Sequence, residues 1–161
     1  MIKKLATIGL TSALLSTGLL TTVSAQDGPT PEQQAATAAE TRQSVFKLLG
    51  FYITPLVGMA RGAPFDAELA EKNGRRIAAL APSIPDVFMH DTRGFDVETE
   101  ALDVIWGDKA EFENKAMALM NNANAFADQA ATGERGATLG AFRALGGSCG
   151  DCHDSFRVDN D

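Results

Sequence analysis

Apolar residues recur at intervals of three and four over four separate stretches, and nowhere do they alternate as a strand would. The first stretch opens at Thr30-Pro31-Glu32-Gln33, where Thr30 can cap, Pro31 suits the first helical position and Gln33 completes a capping box. Behind it Val45, Leu48, Leu49, Tyr52 and Leu56 form one stripe, and Arg42, Phe46, Leu49 and Ile53 a neighbouring one. The pattern predicts a helix over 31–58, kinked or ended near Pro55, whose ring removes a backbone bond. Asp66 then caps a second helix over 66–81 with a weaker stripe (Leu69, Ala70, Ile77, Leu80) interrupted by Asn73 and Gly74.

A long connection from Pro82 to Glu98 follows, and connections of that length usually cover something. Thr99 to Trp106 reads as a short helical lead-in to the third main helix. Asp108 and Glu111 form a second capping box, and Phe112, Ala116, Leu119, Ala123, Phe126 and Ala130 repeat as a bundle seam until Thr132-Gly133. The last helix, over 134–157, carries Phe142, Leu145, Cys149, Cys152 and Phe156 at 3-4-3-4 spacing. Four amphipathic helices without strands predict an all-α chain, an antiparallel four-helix bundle.

The first 25 residues change the picture at one end. Lys3 and Lys4 precede an apolar run from Leu5 to Val23, and Val23-Ser24-Ala25 is a small-residue cleavage site, the pattern of an export signal. The expected mature chain is one domain, 26–161. The full chain holds 14 Lys and Arg against 21 Asp and Glu, a net −7, and cleavage would remove two of the cations. Such a balance disfavours nucleic acid or an anionic membrane as partner and favours a basic or neutral one.

The chemistry sits in Cys149-Gly150-Asp151-Cys152-His153, which holds both cysteines of the chain. C-x-x-C-H is the attachment pattern of c-type haem: two thiols bond the macrocycle and the histidine ligates iron. Positions i, i+3 and i+4 share one helix face, so Cys149, Cys152 and His153 can address one flat ring. A thioredoxin-like pair would need a strand nearby, a zinc site would need ligands beyond the distant His90, and a plain disulfide leaves the histidine unexplained. Five glycines in this helix weaken it, each by roughly 1 kcal/mol relative to alanine. We expect Gly146, Gly147 and Gly150 to let the cofactor approach the backbone.

At this point the chain resembles the cytochrome c′ family, four-helix bacterial cytochromes with haem near the C-terminus. The resemblance spans the mature chain and is sharpest over Ser148 to Arg157. Arg42-Gln43-Ser44, Gly62-Ala63-Pro64-Phe65-Asp66 and Ile105-Trp106 match weaker landmarks. It implies one covalent haem c on Cys149 and Cys152, with His153 as the iron ligand. It further implies propionate contacts from Arg42 and Gln43, haem-edge contacts from Thr99 and Glu100, and Phe46 standing over the open iron face. Phenylalanine there implies a five-coordinate iron and a periplasmic cytochrome that binds nitric oxide and carbon monoxide, capable of one-electron redox exchange. It is not expected to be an enzyme. A six-coordinate electron carrier with a methionine or His90 as sixth ligand is the alternative. Homodimers through the first two helices are common in the family, and the redox partner is open. Gly150 and Asp151 depart from the family's usual lysine and small residue.

Overall fold

The computed structural model describes residues 28–158; the expected signal peptide, residues 1–25, lies outside them. Among the described residues six helices follow in order: α1 (Pro31–Ala60), α2 (Ala67–Leu80), α3 (Ser83–Val87), α4 (Val104–Gly107), α5 (Lys109–Ala131) and α6 (Arg135–Phe156). The long ones, α1, α2, α5 and α6, make the expected antiparallel bundle. Among the described residues the only β pairing is an isolated bridge between Ala101 and Arg157.

The caps follow the sequence. Thr30 Oγ1 accepts from the Gln33 amide and the Gln33 side chain answers the Thr30 amide at 2.9 Å. Asp66 accepts from the Leu69 amide and Asp108 from that of Glu111. Gly62, at φ 106°, supplies the left-handed turn after α1, which a β-carbon would strain. Pro55 does not end α1. The helix passes through it to Ala60.

Packing is uneven around the bundle. The seam residues Phe112, Ala116, Leu119, Ala123, Phe126 and Ala130 are all buried, and α5 packs closely on α2. Here two expectations are corrected. Asn73 and Gly74 do not interrupt the inner face of α2, because both are buried. A β-carbon at Gly74 would stand 2.8 Å from Phe126 Cδ1 and 3.2 Å from the Ala123 carbonyl, so only glycine lets the helices close this far. Asn73 donates to the Tyr52 carbonyl at 3.0 Å, one residue beyond the carbonyl that Pro55 leaves without its helical donor.

The connection after α2 is also more ordered than its prolines suggest. It holds α3 and then turns across the bundle, with Phe88 and Thr92 buried. Arg42 fastens it: Nε donates to the Val87 carbonyl at 3.0 Å, Nη1 to Thr92 Oγ1 at 2.8 Å and Nη2 to the His90 carbonyl. The lead-in is helical only from Val104. Glu100 to Leu102 instead runs beside the end of α6, with Leu102 donating to Phe156 at 3.0 Å and Val158 to Glu100 at 2.7 Å.

Candidate cofactor site

α1 and α6 barely touch. Between them lies a cavity of about 1000 Å³, floored by α5. From α6 it is lined by Phe142, Gly146, Ser148, Cys149, Cys152 and His153, and from α1 by Gln43, Phe46, Gly50, Ile53 and Val57. The 3-4 spacing explains the two rows: the cysteines replace core side chains on the inner stripe of α6, His153 stands exposed beside them at the cavity edge, and the second stripe of α1 faces them.

Every site residue marked by the sequence lines this one cavity. Cys149 and Cys152 are half-buried free thiols, and burial pushes both thiols up from their ordinary values. Beside Cys152, Lys115 opposes that rise. Burial, helped by Arg157, lowers His153, against the pull of Asp154 and Glu100. A neutral imidazole, the form that ligates metal, is thereby favoured. Ser148 is buried and its hydroxyl is used twice, donating to the Ala144 carbonyl at 3.1 Å and accepting from Asn122 Nδ2 at 2.7 Å. That contact fixes the rotation of α6 against α5 next to Cys149. Asn122 is not marked by the sequence, which gives no sign of polar pairing across helices.

The facing side is apolar around Phe46, Leu49, Gly50 and Ile53 and polar at Arg42, Gln43 and Lys47. Phe46 is 37% exposed, more open than an ordinary core aromatic, and meets Phe88 edge-on at 6.3 Å. Gln43 Nε2 donates to the Glu98 carbonyl at 3.1 Å, and Thr99 Oγ1 accepts from the Ala101 amide. The carboxylate of Glu100 pairs with Arg157 at 2.7 Å. Arg42 reaches the cavity but is 3% exposed, its guanidinium engaged by the connection and stacked 4.7 Å from the Phe88 ring. Burial lowers its pKa, countered by Asp91. His90 stands exposed on the connection, outside the cavity. No methionine is among the described residues that line it.

Of the three glycines expected to face the cofactor, Gly146 alone lines the cavity. Gly147 and Gly150 are corrected: they lie on the outer side of α6, with open space where a β-carbon would stand. Their spacing from Cys149 turns them away.

Residues 37–157 match the family described as Cytochrome C′. The chain belongs to the cytochrome c′ family. It is 35% identical over 119 residues to the cytochrome c′ of Pararhodospirillum photometricum, covering 73% of this chain and 94% of that one. The structure is similar to cytochrome c′ from Shewanella frigidimarina, with TM-score 0.70, 34% identity and coverage of 78% and 97%. It is also similar to the nitric oxide complex of a mutant cytochrome c′ from Alcaligenes xylosoxidans, at TM-score 0.68 and 28% identity, covering 78% and 97%.

Cytochromes c′ carry covalent haem c, and the residues present fit that group. The donor set is two thiols and an imidazole on one helix face. The cavity is at the upper end of the usual ligand-pocket range of roughly 300–1000 Å³, and Gly146 and Gly50 keep β-carbons out of it. Among the described residues no helix is long and apolar enough to cross a membrane.

Proposed function

We propose that this chain is a periplasmic cytochrome that holds one haem through Cys149 and Cys152, presents His153 to the iron, and binds nitric oxide or carbon monoxide. When bound, the haem supplies a one-electron redox centre and an open position for an uncharged diatomic. The observation that carries the reading is the pairing of rows across the cavity: thiols and imidazole on α6 against Phe46 on α1. Phe46 would stand over the open side of the cofactor and offers no lone pair, and no methionine or second histidine lines the space among the described residues. This favours the five-coordinate form over the six-coordinate carrier. The apolar side chains around Phe46 (Leu49, Ile53 and Phe88) give no hydrogen bond to a polar ligand. The related nitric oxide complex supports the same ligand class.

Gln43 and Arg42 would hold the propionates, and Thr99 and Glu100 would meet the haem edge; all four line the cavity, and Arg42 would use N–H donors not already held by the connection. The role is binding and redox exchange, without catalysis. Leu48 and Phe51 are 47% and 70% exposed on the outer face of α1 and suit a homodimer through α1 and α2. The absorption spectrum of the purified protein tests the central reading. A high-spin spectrum and binding of carbon monoxide by the ferrous form are expected; a low-spin spectrum in both oxidation states without that binding would sink it. Intact mass of the periplasmic protein, expected to begin at Gln26, tests the leader.

A further inference from the structure

A second, smaller cavity of about 300 Å³ opens on the surface between α3, α4 and the start of α5, beside Met89, Trp106 and Lys109. Three of its lining residues, Phe88, Ile105 and Phe112, also line the large cavity. They are buried, and they are all that the two spaces share. The wall between surface groove and cofactor cavity is therefore one layer of apolar side chains.

Phe88 is the centre of that wall. Its ring lies 4.8 Å from Phe112 and 6.0 Å from Trp106, and touches Phe46 edge-on. Its backbone is pinned from both sides. The Phe88 carbonyl accepts from Trp106 Nε1 at 3.0 Å, while Arg42 holds the carbonyls of Val87 and His90. With the main chain held at three points, movement at this position is left to the ring. Buried rings do hop between rotamers in otherwise close-packed interiors.

We propose that Phe88 is an internal gate, and that small uncharged molecules pass from the Met89–Trp106 groove, past Phe88 and Phe112, to the Phe46 side of the cofactor cavity. The inference rests on the proposed function, because it supplies the ligand with a way in. A macrocycle held by Cys149 and Cys152 would narrow the opening between α1 and α6, and the groove offers the Phe46 side a second approach. An apolar wall selects by chemistry as well as size: an ion or strongly hydrated molecule would lose its water there without replacement. A diatomic or a noble gas loses almost none.

Two holoprotein variants test the gate by flash photolysis of the carbon monoxide adduct. Phe88→Ala should speed association about tenfold, the change that about 1.4 kcal/mol of barrier produces. Met89→Trp should slow it with an unchanged spectrum; Met89 is 77% exposed, so this variant folds whatever Phe88→Ala does. An unaltered rate in Met89→Trp overturns the proposal. Xenon-pressurised holoprotein crystals read the passage without iron chemistry. Xenon is expected in the groove and behind Phe88, and xenon found only on the α1–α6 side overturns the gate. If the ferrous protein binds no carbon monoxide, the proposed function fails and the xenon result alone decides the gate.

Discussion

The α2–α5 contact and the α1–α6 gap are opposite solutions to burying a helix face. At the first, Gly74 admits Phe126 so closely that a single methyl group would collide with it. At the second, the helices stand apart around about 1000 Å³ lined by thiols, a histidine and apolar side chains. Close packing supplies dispersion contacts that a void of this size forfeits. One side of the bundle is completed by its own side chains, and the other is completed by a cofactor.

The largest test removes the cofactor. Cys149→Ala with Cys152→Ala should give a chain of clearly lower helicity by circular dichroism. Amide exchange should then rise further in α1 and α6 than in α2 and α5. Equal loss of protection in all four would break the comparison.

Next comes Arg42, which ties α1 to the connection on the gap side. Arg42→Ala leaves two carbonyls and Thr92 without a charged donor and should cost about 3 kcal/mol in denaturant unfolding. Arg42→Lys keeps the charge but not the fork, and should recover only part of it. Full recovery would mean that charge alone holds the connection.

On the packed side, Gly74→Val should destabilise by roughly 1–3 kcal/mol through overpacking while leaving the haem spectrum as it was. Gly147→Ala, with open space around it, should stabilise by roughly 0.5–1 kcal/mol. The same sign for both would show that helix propensity, rather than closeness of approach, governs these sites.

Phe46→Ala separates access from stability. A fully buried phenylalanine would cost about 3–5 kcal/mol, but a ring 37% exposed should cost less. Carbon monoxide association should speed up. Equal rates with a full core penalty would make Phe46 an ordinary packing residue. Phe46→Met should move the spectrum towards low spin, as a thioether there could ligate.

The smallest effect belongs to Asp91 on the surface of the connection. Hydrogen bonds from Arg93 hold its carboxyl down to about 2. A depressed carboxylate stabilises the fold above its ordinary pKa and loses that contribution as pH falls through about 2. Asp91→Asn should therefore lower Tm slightly at neutral pH, less in high salt, and not at all at the acid end. A salt-independent difference would point to something other than this ion pair.

The two regions also differ in how much of them is legible in the sequence. The seam of α5, the caps at Thr30, Asp66 and Asp108, and the C-x-x-C-H face of α6 follow from local spacing, because helix geometry converts intervals of three and four directly into shared faces. So do the cavity's two main rows. What local spacing cannot state is which neighbour a face meets. Asn73 and Gly74 interrupt a local stripe, and they belong to the core because Tyr52 and Phe126 stand opposite them. Gly147 and Gly150 sit beside the cofactor-binding cysteines in sequence, yet the rotation of α6, held by Ser148 and Asn122, turns them outward. Phe88 is one apolar residue in a proline-containing connection; Arg42 and Trp106, distant in sequence, make it the wall between two cavities. Local spacing carried the four long helices, most of their inner faces and a cofactor-binding triplet on one of them. Where helices close and where they stand apart came from the folded chain alone, because it depends on side chains meeting across elements that no local period connects.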